Sequence, residues 1–574
     1  MKKSLITLNG KWAVTTLLAA ALTVPTVAHG AGAAPTPAPV SAPLAELKGL
    51  SEAAVQAEQL VPARLVAESL GAQVTWMDET RSVDLKRGKT AVRVRIGDTQ
   101  ATVNGESVQL SSAVQLIDES TYVPLEVIHR AFGSGIGWDA QLHQIVVSEK
   151  DYGSQATLFL HQLENGQYSE AWSRLSATLQ AVLPEPLLKA IWEGNKPLFG
   201  RYLQMNVVDI QTNAVHNSVT LECVTEKMPI QLTLRFAPSG LVDDWSLTPA
   251  AGQAEPYQRP AYDKQDAYKE REVVVGEGAL ALPGTLTQPL GEGPFPAVVL
   301  VQGSGPHDRD STIGGAKPFR DIAAGLASQG IAVLRYEKVT KEHPFKVQAI
   351  PKFTIDQESV DDVNRAIDVL AGTKEIDPKR IYVAGHSQGG FVLPKIVAKD
   401  SSHRIAGVIG LSAPSGTFVD VLQEQQQVLI ERMKQAGLPV EGVVQSAAMW
   451  NEIAKLVKNP EYSKDNLPQQ FPIGGAYWWY EQRDYAAAAA AKGQSTPMLL
   501  LQGENDWQVP MTQLEGWKQA LAGRTDVTYK SYSKLNHLLT EYDGISTGME
   551  YNRSANVPEV LIRDMADWIR GLEK

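Results

Sequence analysis

From about residue 270 onward the chain alternates two kinds of hydrophobic pattern. Short, continuously apolar runs at 297–301, 331–336, 381–384, 405–411, 498–501 and 527–532 are separated by segments with helical periodicity. A run that is apolar at successive positions is buried on both of its faces, which predicts a parallel sheet with helices packed on each side. The preceding 270 residues have a different pattern. Residues 91–96 and 101–110 alternate apolar with polar around Asn104-Gly105, as a hairpin does. They lie inside an internal repeat: Leu60-Val61-Pro62 through Gly71 to Trp76 returns as Tyr122-Val123-Pro124 through Gly133 to Trp138, at a constant offset of 62 (124 − 62, 133 − 71, 138 − 76). Each copy predicts a helix opened by proline and ended by glycine, then a strand at 82–85 or 144–147. From 155 to 249, amphipathic helices carrying Leu158, Leu163, Tyr168, Trp172 and Leu175 give way to strands. The predicted layout is a small α+β domain at 46–150, a second at 152–250, a linker at 251–269 and an α/β domain at 270–574.

Composition narrows the class of partner. At 574 residues the chain exceeds one core, and 43% hydrophobic with 20% charged residues is ordinary for globular protein. A net charge of −11 and a pI near 5.5 exclude nucleic acid and anionic membrane surfaces, which need a basic face, and leave small neutral substrates open. Met1-Lys2-Lys3, an apolar stretch at 12–27 and small residues at 28–34 form a secretory signal pattern covering 1–33, with cleavage near 28–33. An uncleaved anchor is the competing reading. Thr15, Thr16, Thr23 and Pro25 interrupt the stretch and it is short for spanning, so export is expected, to the medium or cell wall, with no integral membrane segment after cleavage. Residues 34–45, rich in Pro and Ala, make an extended linker. The single cysteine, Cys223, excludes an intramolecular disulfide and lies in an alternating run typical of a buried strand.

One apolar run ends in Gly385-His386-Ser387-Gln388-Gly389 and a helical pattern follows. Gly-x-Ser-x-Gly at a strand-to-helix junction is a nucleophile elbow, in which glycines permit a strained turn that raises the serine hydroxyl above the sheet. A serine hydroxyl needs a base, and the base an orienting acid. After the run at 498–501 comes Glu504-Asn505-Asp506, and after the run at 527–532 comes Asn536-His537. Ser387, Asp506 and His537 each follow a strand, and among ten histidines only His537 follows the acid in this setting. Glu504 is the rival acid, and His386 is assigned to supporting the elbow. The Gln388 amide, at a helix N-terminus, supplies one donor to an oxyanion.

The loop after 297–301 reads Gln302-Gly303-Ser304-Gly305-Pro306-His307-Asp308-Arg309-Asp310. It is similar to the His-Gly-Ser-Gly-Pro-x-Asp-Arg-Asp signature of bacterial α/β-hydrolase esterases related to dienelactone hydrolases and prolyl oligopeptidases. Gly284-Thr285-Leu286, Leu334-Arg335-Tyr336 and the helix at 358–370 extend the resemblance over about 300 residues. It implies the α/β-hydrolase fold and makes the Ser304 amide the second oxyanion donor. Gln302 stands where histidine is usual and Glu337 where aspartate is usual, which bears on how this loop is braced. The repeat at 46–150 resembles the N-terminal stalk domain of copper amine oxidases, which implies a spacer or envelope contact. Its two histidines, His129 and His143, lack partners at metal-site spacing, and no metal or cofactor is expected. The segment 152–250 resembles a small α+β domain that precedes such hydrolases.

Residues 413–496 exceed what the sheet needs and predict a helical cap carrying Met433, Met449, Trp450, Tyr477, Trp478, Trp479 and Tyr480. These side chains either line an acyl site or pack the cap on the body. The expected activity is hydrolysis of small-molecule carboxylic esters, with short acyl chains, through an acyl-enzyme. Amide or thioester cleavage by the same triad is the alternative, and a non-catalytic envelope-binding protein is the alternative of another class.

Overall fold

The structure, a computed structural model, describes residues 59–572 except 134, 140–143 and 251–253. The expected signal peptide at 1–33 and linker at 34–45 lie outside the described residues. The chain divides near residue 251 into two compact units.

In the N-terminal unit the sequence repeat is a structural repeat. Leu60–Pro62 pairs antiparallel with Ser120–Pro124, so the equivalent entry segments of the two copies hydrogen-bond to each other. Each leads into a helix, Ala63–Ser69 or Leu125–Phe132, and then into a hairpin, Gln73–Met77 with Ser82–Arg87 or Ile136–Asp139 with Gln144–Val147. Asn104 (φ 53°) and Gly105 (φ 90°) form the predicted turn between Gln100–Val103 and Glu106–Gln109. Leu158, from the helix Tyr152–Glu164, is buried in the repeat's core with Val66, Leu125 and Ile128. The boundary expected at about 151 is thus a change of secondary structure within one compact unit. Four helices precede the four-stranded antiparallel sheet, in which Cys223 is fully buried as a strand residue and Trp192 and Trp245 are core.

The second unit is built on an eight-stranded sheet: β1 (Tyr268–Val275), β2 (Leu282–Pro289), β3 (Phe295–Val301), β4 (Ala332–Tyr336), β5 (Ile376–His386), β6 (Ile405–Leu411), β7 (Met498–Gly503) and β8 (Val527–Tyr532). Their spatial order is β1-β2-β4-β3-β5-β6-β7-β8. The six runs predicted from the sequence are the six mutually parallel strands, and β1 and β2 add antiparallel partners at one edge. Successive side chains serve two cores. Ala297, Val299 and Val301 join one with the helices Asp361–Ala371 and Met511–Ala520, while Val298 and Leu300 join the other with Pro318–Ala327 and Glu559–Gly571. Each buried branched side chain contributes about 1.5–3 kcal/mol relative to exposure, which is why the runs in β3, β5, β6 and β7 carry no charged residue.

Of the segment expected to be a linker at 251–269, the described residues 254–269 instead belong to this unit. Tyr257 donates its hydroxyl to Asp321 at 2.5 Å, Tyr262 donates to the Val557 carbonyl, and β1 begins at Tyr268. Two aromatic rings with buried hydroxyl partners hold it against the body.

Candidate active site

At the end of β5 the backbone of Ser387 adopts φ 54°, ψ −118°, a conformation rarely taken by a residue with a side chain. The glycines around it are required by space. A Cβ on Gly385 would lie 2.2 Å from the Gly389 carbonyl oxygen, and one on Gly389 would lie 2.2 Å from that of Val301. Ser387 donates its amide to Leu411 at 2.9 Å, and the helix Gln388–Phe391 starts at once. Gln388 is its first residue, so its amide has no acceptor within the helix. Ser387 alone in this turn is not buried.

Asp506 and His537 sit past β7 and β8. His537 Nδ1 donates to Asp506 Oδ2 at 2.8 Å, while Asp506 Oδ1 accepts from the amides of Gln508 (2.8 Å) and Val509 (2.9 Å). Burial pushes the Asp506 carboxyl up, but the His537 charge and hydrogen bond and the Val509 amide outweigh it, so its pKa lies below the ordinary value. Glu504 points to solvent and accepts from the Ser531 hydroxyl at 2.7 Å, so it is not the partner of His537. The histidine loop is held by its neighbour: Asn536 Oδ1 accepts from the amides of Leu538 (3.0 Å) and Thr540 (3.2 Å), and its Nδ2 donates to Glu550 (3.2 Å). Arg432, from the cap helix Phe418–Gln435, donates to the carbonyls of Asn505 (2.7 Å) and Asp506 (3.2 Å) and fixes the acid's loop.

His386 does more than support the elbow. Its Nε2 donates to the His537 carbonyl at 2.7 Å, tying the nucleophile's strand to the histidine loop. Burial, reinforced by neighbouring His537, pushes its pKa down to about 3, so the ring is neutral.

The loop after β3 closes over the serine. A Cβ on Gly303 would lie 3.2 Å from Ser387 Cβ. One pocket of about 10 Å³ is lined by Gly303, Ser304, His307, Ile313, Ser387, His537 and Leu538, so four of the five sequence-predicted site residues are accounted for there or one residue away: Ser304, Ser387 and His537 line it, and Gln388 follows Ser387. Asp506 reaches it through His537. The Asp-Arg-Asp segment braces the loop: Arg309 pairs with Glu337 (2.8 Å) and with Glu272, and Asp310 accepts from Arg335 (2.9 Å). Gln302 donates to the Tyr336 carbonyl, and burial raises the Glu337 carboxyl to about 7. His307 donates to the Ser304 carbonyl at 2.8 Å, and burial holds its ring down at about 4.

No residue of 413–496 lines this pocket. The cap aromatics pack instead: Phe418 against Phe391 (5.4 Å between centroids) and Trp478 (5.5 Å), Trp450 against Trp479 (5.8 Å), and Tyr485 edge-on to Phe391 (4.9 Å). The expectation that they line an acyl site gives way to the packing alternative, because a helical cap this size needs its own core.

A sheet of this order, with an elbow after β5 and an acid and histidine after β7 and β8, defines an α/β-hydrolase. Residues 315–543 match the serine aminopeptidase S33 family, and residues 51–147 match the copper amine oxidase N-terminal domain. Esterase EstD of Thermotoga maritima is 30% identical over 420 residues, which is 73% of this chain and 95% of that protein. The chain belongs to the α/β-hydrolase esterase family to which EstD belongs. Among solved structures, Est1E from Butyrivibrio proteoclasticus covers 53% of this chain and 98% of its own at 15% identity (TM-score 0.34), and an esterase of Pyrococcus furiosus covers 57% and 100% at 13% (TM-score 0.34).

Proposed function

We propose that this protein is an exported serine esterase that hydrolyses short-chain carboxylic esters through an acyl-enzyme. The observation carrying this reading is the strained Ser387 in one pocket with His537, whose Nδ1 is already committed to Asp506. Nε2 is the ring nitrogen left to take the serine proton as Oγ attacks the ester carbonyl. The Ser304 and Gln388 amides donate hydrogen bonds to the carbonyl oxygen as it becomes negative. His537 then returns the proton to the departing alcohol, and water, deprotonated by the same nitrogen, releases the acid. The pocket, about 10 Å³, has room for about one water molecule, so an acyl group of any length requires the side chains around it to yield, and a short one requires least. Met1-Lys2-Lys3 and the apolar stretch after it support export. The repeat at 51–147 supports a spacer or envelope-contact role for the N-terminal unit.

A fluorophosphonate probe is expected to label Ser387, located by peptide mass spectrometry. Ser387→Ala is expected to lose label and to lower turnover of p-nitrophenyl acetate and butyrate by at least about 10⁴-fold with the fold intact. Retained turnover overturns the assignment. Because the matched family is named for an aminopeptidase, aminoacyl anilides assayed beside the esters decide between bond types.

A further inference from the structure

Lys338 lies two residues past β4, at the end of the sheet where the site lies, yet its side chain is only 2% exposed. Its ammonium donates to three acceptors: the Gly303 carbonyl at 2.7 Å, Gln388 Oε1 at 3.0 Å and Glu358 Oε1 at 2.7 Å. Three donors meet three acceptors, so the group is fully used and has nothing left for a substrate. Two of those acceptors belong to the oxyanion site. The Gly303 carbonyl shares a peptide group with the Ser304 amide, and across a trans peptide the C=O and N–H point in opposite directions. Pulling that oxygen outward turns the N–H inward, and a cation on the oxygen makes the N–H a stronger donor. Gln388 carries the second amide, and the same ammonium anchors its side chain.

The third acceptor leads to the cap. Glu358 lies in a π-helical turn, Asp356–Val360, a rare element often found at functional positions. Its second oxygen accepts from Trp478 Nε1 at 2.8 Å, and Trp478 packs against Phe418 and Trp479. A buried ion pair contributes little net stability, because desolvation offsets its attraction, so a pair at this place calls for another role.

We propose that Lys338 is a positioning residue for the oxyanion hole, orienting and polarising the Ser304 and Gln388 amides, and that Glu358 and Trp478 tie its position to the cap. The proposal rests on Ser387 being the nucleophile. It predicts that Lys338→Met lowers kcat for p-nitrophenyl acetate about 10–100-fold per fluorophosphonate-labelled site, with KM changed less than about threefold. Affinity for a short trifluoromethyl ketone, whose adduct carries the oxyanion, should fall by the same factor. Wild-type kcat per labelled site overturns the proposal, because a merely structural lysine lowers the fraction labelled and not the turnover of what is labelled. Should Lys338→Met not yield folded protein, Glu358→Gln carries the test. It keeps the volume and loosens the lysine's anchor, and kcat about fivefold down at constant KM supports the proposal while unchanged kcat overturns it. Ser387→Ala is assayed alongside: activity retained there removes the nucleophile, whereas an inactive Ser387→Ala beside wild-type kcat in the Lys338 or Glu358 variant removes only this proposal.

Discussion

The repeat of the N-terminal unit and the hydrolase sheet handle charge in opposite ways. In the repeat, the ion pairs among the described residues lie in solvent: Arg64 with Glu68 (61% and 42% exposed) and Arg93 with Asp84 (61% and 32%). Around the hydrolase site the two most enclosed cations are interior, Arg335 at 3% between Asp310 and Glu270, and Lys338 at 2% against Glu358. Solvent-exposed pairs bring little stability, and interior ones demand a partner for every charge. The repeat therefore rests on its apolar core, while the hydrolase uses charge to hold loops after β3 and β4 in one conformation. Interior polar networks mark where a single backbone geometry matters.

Removing the same residue type from each region tests that contrast. Arg335 also donates to Thr287 at 2.8 Å, and replacing it leaves Asp310, in the loop after β3, to the longer 3.3 Å pair with Lys317. Arg335→Met should destabilise the hydrolase unit by about 3 kcal/mol, read from the midpoint of its chemical unfolding, and should lower kcat as well. A loss below about 1 kcal/mol with kcat unchanged would remove the distinction between the two regions.

Much of this architecture was legible in the sequence, and the exceptions share a cause. Five of the six parallel strands announced themselves because both faces are buried, and β8, at the sheet's edge, through Val527, Tyr529 and Tyr532, which pack on the cores. β1 did not, since Lys269, Glu270, Arg271 and Glu272 leave it exposed at the sheet edge, and β2 is bounded by Pro283 and Pro289. Ser387, Asp506 and His537 were legible because each follows a strand the pattern reveals. The groups that hold them were not. In sequence Lys338 beside Glu337 is indistinguishable from a surface charge pair, and Arg432 and Glu358 occupy polar positions of helical patterns. Their partners are 20 to more than 100 residues away, as Trp478 is from Glu358. The sole local hint for Lys338 is its place at the C-terminal end of a parallel strand. Tyr257 and Tyr262 were hidden in the same way within a segment whose prolines and charges suggest a linker.

The neutral interior histidine gives a smaller, pH-dependent effect. With a folded pKa near 3 against about 6.5 unfolded, His386 takes up a proton in the unfolded chain and not in the folded one between those values. The unfolded state binds more protons there, so stability falls as the pH drops from 6.5 toward 3, by up to about 1.4 kcal/mol per unit from this group. His307, held near 4, adds to the same slope over a narrower window. His386→Gln keeps a donor for the His537 carbonyl without a titrating ring. Unfolding midpoints of the variant measured from pH 7 to pH 4 should decline less steeply than those of the parent. Parallel curves would mean that His386 does not couple folding to acid.

The smallest expected effect lies in the repeat. Arg93 and Asp84 face each other across Ser82–Arg87 and Thr90–Arg95 with two hydrogen bonds of 2.6 Å, Nε to Oδ1 and Nη2 to Oδ2. The hydrogen bond from Arg93 holds the Asp84 carboxyl below its ordinary range, yet both side chains sit in water that solvates each alone. The strands beneath them are fixed by Val83, Leu85, Val92 and Val94, all in the core. Arg93→Ala should therefore leave the melting temperature of the N-terminal unit within about 2 °C of the parent, at low and at high salt alike, and ester turnover unchanged. A drop as large as that expected for Arg335→Met would show that two well-formed hydrogen bonds can do on the surface what the hydrolase achieves by burial.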